Sequence, residues 1–148
     1  MSTVKAKMIL SNIIKFYKEK KNLDILLSIL NKTSKISLRL LDWFVITYAR
    51  NQDNLKIPIE GSTDSIYDEY KSELTAYRKK LFDPFCRHSR IKFFYSDKSE
   101  NNEKNYIITT VGQLNFIKWA ISKNIIQYIE NNYSDLQKKM NLSIEEKK

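Results

Sequence analysis

A predominantly helical α+β domain, a helix bundle with one β-hairpin preceding a long C-terminal helix, is the fold this sequence predicts. Three observations carry that prediction. Only two glycines and two prolines occur in 148 residues, so long helices meet few breakers. Apolar residues recur at steps of three and four along most of the chain, the spacing of one helix face. Between about residues 91 and 111 that period gives way to aromatic and β-branched runs, which suit strands.

The elements follow in order. Residues 4–19 place Met8, Ile9, Ile13, Phe16 and Tyr17 near helical spacing, and residues 23–31 put Leu23, Leu26, Leu27 and Leu30 on one side of a second helix. The third helix, about 36–51, carries Leu38, Leu41, Phe44, Val45 and Tyr48 in step, with Leu40, Trp43 and Ile46 widening the apolar surface. So apolar a helix belongs at the centre of the core, and Ser34 or Ser37 can cap its start. Residues 52–62 break the pattern at Pro58 and Gly61, with room for a short strand at 55–59. The clearest helix spans about 64–82. Tyr67, Tyr70, Leu74, Tyr77 and Leu81 hold one face, with acids early (Asp64, Asp68, Glu69) and bases late (Arg78, Lys79, Lys80), as the helix dipole favours. Asp83-Pro84 ends it, because the residue before a proline avoids the helical region.

Strands are expected at 91–96 and 105–111, joined by the polar stretch 97–104. Thr110 with Gln113 three positions later has the form of a capping box. It opens a helix over about 111–132, with Leu114, Ile117, Ile121, Ile125 and Tyr128 as one seam and Trp119, Ile126 and Tyr133 on a second face. Residues 1–6 and 142–148 are charged ends expected to fray, and 1–148 reads as one domain. Helices around a hairpin loosely resemble winged-helix modules, although there the wing follows the recognition helix and here the hairpin precedes the longest one.

Composition narrows the function classes. Hydrophobic residues make up 42% and charged ones 29%, enough for a sizeable core under a solvated surface. The net charge of +9 attracts polyanions without choosing among nucleic acid, anionic membrane and acidic protein. Lys, Asn, Ile and Tyr have A/T-rich codons, so genome composition alone can inflate that charge. The one cysteine, Cys86, allows no internal disulfide and fits a reducing compartment. No run approaches the ~18 apolar residues of a membrane span, and the start lacks a secretory cleavage pattern.

A local cluster is harder to ascribe to codon bias. Between Arg78 and Lys92 stand Arg78, Lys79, Lys80, Arg87, Arg90 and Lys92 against one acid, Asp83, and three of the five arginines of the chain fall here. Tyr77, Phe82, Phe85, Phe93, Phe94 and Tyr95 are interleaved with them. Clustered cations neutralise phosphates, and aromatic faces stack on bases. Against that, bases at a helix end complement its dipole and aromatics fill cores. Phe93 and Tyr95 share one strand face and Phe94 takes the other, so part of the set belongs to the core.

Other constellations point to plain structure. Cys86 and His88 offer two metal ligands and no second pair, so no metal is expected. The acids sit at helix starts and tails rather than as a pair in one cleft. There is no phosphate-binding loop, dinucleotide fingerprint or serine elbow, so neither an enzyme nor a cofactor is expected. Asp42, within LLDWF, should form a half-buried ion pair with Arg39, Arg87 or Arg90.

Three strings, KISLRLLDWFV (35–45), YRKKLFDPFCR (77–87) and IITTVGQLNFIKWAI (107–121), resemble an uncharacterised family of small basic proteins encoded by nucleocytoplasmic large DNA viruses of algae and protists. The similarity covers most of 34–130. It implies a viral source, with virus factory in the host cytoplasm, virion or host nucleus as locations, and it supplies no catalytic residues.

The function expected is non-enzymatic binding of nucleic acid, DNA before RNA, through Arg78, Lys79, Lys80, Arg87, Arg90 and Lys92 with Phe85 and Phe94 in support. The alternatives are a virion structural or assembly protein, or a small accessory subunit of viral transcription machinery, whose basic patch meets other viral proteins.

Overall fold

A computed structural model describes residues 3–52, 65–85, 90–95 and 106–146. Among the described residues the chain is a helical assembly with one two-stranded antiparallel hairpin, as the sequence predicts. Helices α1 (Thr3–Phe16) and α2 (Lys20–Leu30) come first. A continuous helical stretch follows as α3 (Leu38–Trp43), a π-helical turn (Phe44–Tyr48) and α4 (Ala49–Asn51). Then come α5 (Ile66–Phe82), β1 (Ile91–Phe94), β2 (Tyr106–Thr109), α6 (Val111–Ser122), α7 (Ile125–Asn131) and α8 (Tyr133–Glu146). The helices therefore extend to Thr3 and Glu146, into both stretches expected to fray. The strand expected at 55–59 lies outside the described residues.

Side-chain caps account for the starts of α3, α5 and α6. Ser37 Oγ accepts from Leu40 N at 3.0 Å and Ser65 Oγ from Asp68 N at 3.2 Å, each satisfying a donor that the first turn leaves open. Thr110 does the same for Gln113 N at 3.0 Å. The reciprocal half of the expected capping box is absent. Thr109 Oγ1 instead donates to Gln113 Oε1 at 2.6 Å, which ties the helix start back to β2.

Three expected helices are interrupted. The 36–51 helix passes through a π turn, where Ala49 N donates to Phe44 O. That extra residue lets Phe44, Val45 and Ala49 all face the core. The helix over 64–82 breaks at Arg78, which has φ 67° and ψ 164°. The break re-aims the last turn so that Leu81 and Phe82 are both buried. The long final helix divides at Asn124, which sits in the left-handed region at φ 58°, a conformation asparagine accepts better than most residues. After the break, Ile125, Ile126 and Ile129 still face inward.

The 36–51 stretch lies in the core as expected, with Leu40, Leu41, Phe44, Val45 and Ala49 fully buried, and α6 is a second central element. It packs most extensively against α5 and also touches α1, α2 and α7. Phe116 is fully buried and meets Phe82 edge-on at 5.7 Å, with Tyr70 and Trp119 completing a cluster of rings. Asn115, buried on the same helix, donates from its side chain to Leu81 O at 3.0 Å. Gly112 meets the same neighbour: a Cβ there would stand 2.6 Å from the carbonyl oxygen of Asp83. The buried Tyr17 hydroxyl donates to Leu114 O at 2.7 Å and fixes the end of α1. The string VGQLN thus holds α5, β2 and α1 around one helical start.

Candidate nucleic-acid interface

The expected cluster separates into three places. The first is the end of α5. Arg78, Lys79 and Lys80 are exposed there, and the latter two stand in the last turn, where the dipole already accounts for them. Beyond it, Asp83 Oδ1 accepts from Phe85 N at 2.9 Å and turns the chain outward. Pro84 goes inward, while Phe85 is left 51% exposed.

The second place is a groove of about 280 Å³ lined by Pro84, Phe85, Arg90, Ile108, Thr109, Thr110 and Gln113. It lies over the start of α6, where helix N–H groups and the dipole favour negative charge. Two of the expected residues, Phe85 and Arg90, meet here.

The third is the outer face of the hairpin. In its register Lys92 pairs with Ile108 and Phe94 with Tyr106, so these four side chains share one face. Phe94 is 62% and Ile108 54% exposed. The rings of Phe94 and Tyr106 lie 5.2 Å apart at 52°, and Lys92 Nζ stands 5.2 Å from the centre of the Tyr106 ring. The opposite face is core: Phe93 is buried and meets Tyr17 edge-on at 5.9 Å. The expected split between Phe93 and Phe94 is therefore found.

Ile108 belongs to both groove and hairpin face, so these two form one surface. Its described cations are Arg90 and Lys92, and no acid is among its described lining residues. Arg78, Lys79 and Lys80 do not line it. Arg87, Cys86 and His88 lie outside the described residues. Tyr106 and Ile108 escaped the sequence reading. Strand alternation puts them on one face, but only the hairpin register sets them opposite Phe94 and Lys92.

Where Asp42 on α3 faces the charge of Asp83, the electrostatics are of another kind. Asp42 is half-buried, and among the described residues no cation closes the expected ion pair with it. Burial, and then the charge of Asp83, push its carboxyl up to about 6. Burial, followed by Asp42, Asp83 and Tyr67, pushes the Tyr70 hydroxyl up to about 12. Among the described residues no group of three or more His, Cys, Asp or Glu is placed to hold a metal ion, and no helix is long and apolar enough to cross a membrane.

Residues 2–148 match a family of unknown function, DUF7197. The chain is 43% identical over 108 residues to "Uncharacterized protein L507" of Acanthamoeba polyphaga mimivirus, a stretch that covers 71% of this chain and 41% of that protein. The chain thus spans less than half the length of this relative. The resemblance to a giant-virus family is borne out by it. No solved structure matches.

Proposed function

This chain belongs to the family of unknown function DUF7197, and we propose that it binds nucleic acid, DNA in the first instance, without catalysing a reaction on it. What supports this reading is the continuous surface on which Phe85, Arg90, Lys92 and Phe94 stand exposed or half-open around Ile108. Arg90 and Lys92 contact phosphates there, and Arg78, Lys79 and Lys80 extend the positive field from the end of α5. Phosphate contact of this kind positions a strand without reading its sequence.

Anisotropy of labelled single- and double-stranded DNA tests it, at low and near-physiological salt. Binding should fall steeply with salt, and Arg90→Glu with Lys92→Glu should weaken it at least tenfold. No binding, or equal binding by the variant, removes the reading.

A second reading takes the same surface as a contact for another viral protein, in a virion or in transcription machinery. The observation favouring it is that Phe94 and Ile108 are large apolar side chains in water. Self-association or capture by virion components, unaffected by the charge reversal, would select it.

A further inference from the structure

Resting on the nucleic-acid reading, we infer that the hairpin face takes an unpaired strand rather than a duplex, with one base stacked on Phe94. Three facts of placement lead there. Phe94 is 62% exposed on a strand whose next residue inward, Phe93, is 5% exposed, so the ring is held out by a backbone that the core fixes. Its cross-strand partner Tyr106 is tilted 52° to it, so one planar base cannot lie flat on both rings. One side of Tyr106 is also taken by the ammonium of Lys92, 5.2 Å from its centre. That leaves Phe94 as the platform and puts a cation one strand pleat away from it, where the phosphate of a stacked nucleotide runs.

The surface then continues. Ile108 leads from this face into the groove, where a second exposed ring, Phe85, stands with a second cation, Arg90. Ring and cation thus occur twice along one path, with no acid among the described residues that line it. In an intact duplex the base faces are covered by their neighbours, and a phenyl ring reaches one only by wedging a base step open at an unstacking cost. An unpaired strand offers both elements this path repeats, a π-face and a phosphate. The strands are four residues each, ~13 Å, so the path serves a few nucleotides and stacking rather than base-edge hydrogen bonds holds them.

The experiment measures the full chain by anisotropy against a labelled dT12 strand, a U12 strand and a loop-closed duplex without free ends, with Phe94→Ala, Phe94→Trp and Arg90→Glu. A single strand should bind at least ~10-fold tighter than the duplex. Phe94→Ala should lose about 5- to 100-fold on the single strand and leave duplex binding unchanged, while Phe94→Trp keeps the affinity. A preference between dT12 and U12 identifies the sugar, and either satisfies the inference. Duplex bound as tightly as single strand, or Phe94→Ala without effect while Arg90→Glu weakens binding, overturns it and leaves the nucleic-acid reading standing. No binding to any of the three overturns both. Because Phe94 is exposed, Phe94→Ala should melt at the wild-type temperature, so its loss of binding reports on the surface.

Discussion

The side-chain amide of Asn115 donates to the main-chain carbonyl of Leu81 at 3.0 Å, both buried, 34 residues apart. That bond captures a carbonyl in the last turn of α5, where intrahelical acceptors run out of donors. Asn115→Leu keeps a side chain of similar volume and orphans the Leu81 carbonyl. It should cost about 1–3 kcal/mol in chemical denaturation. Unchanged stability would mean that water reaches the carbonyl and the bond contributes little.

Gly112 and Asp83 are in tighter contact still. A Cβ at Gly112 would lie 2.6 Å from the Asp83 carbonyl oxygen and 3.4 Å from that of Lys80. Both obstacles are main chain, so relief requires moving the end of α5. Gly112→Ala should destabilise by about 1–3 kcal/mol or more despite the better helix propensity of alanine. A variant at least as stable as wild type would show that the two helices separate freely.

Arg78 occupies φ 67°, ψ 164°, a region open to glycine and strained for any residue with a Cβ. Arg78→Gly should stabilise by about 1 kcal/mol, whereas Arg78→Ala, which retains the Cβ, should not. Equal gains for both would trace the effect to the lost charge rather than to the backbone.

Asp42 predicts a pH dependence. Its carboxyl stands at about 6, raised by burial and then by Asp83 from an ordinary 3.8. The folded chain therefore holds this proton more tightly than the unfolded one. That stabilisation is complete below pH 3.8 and is lost as pH rises through about 6. Asp42→Asn should be more stable than wild type at pH 7 by about 1 kcal/mol, a figure discounted for the solvent that reaches the group, and so melt ~2–4 °C higher. At about pH 3, below the unfolded value, the two should melt together. An equal gain at both pH values would assign the effect to packing.

The existence and type of the elements were legible because they rest on periodicity. The paired runs at 91–96 and 105–111 did become β1 and β2, and Ser37 and Thr110, the expected caps, stand where helices begin. The breaks at Arg78 and Asn124 were not legible. Each answers to the angle at which neighbouring helices must meet, and no local pattern records that angle. Neither residue is the glycine that usually marks a positive φ. At the surface, sequence proximity placed Arg78, Lys79 and Lys80 with Phe85 and Arg90, whereas the fold joins Phe85 and Arg90 to Ile108 instead. Long-range register, which brings Tyr106 to Phe94, lies beyond what a linear spacing conveys.

The hydrogen bond from Tyr17 to Leu114 spans 97 residues. At a synthesis rate of about 5–20 residues per second, the tyrosine leaves the ribosome roughly 5–20 s before its acceptor does. During that interval α1 and α2 have none of the α6 surface on which they finally rest, and their apolar faces are open to chaperones or to neighbouring chains. Native closure of this contact thus waits on the synthesis of α6, the keystone for which the nascent α1 and α2 are held open.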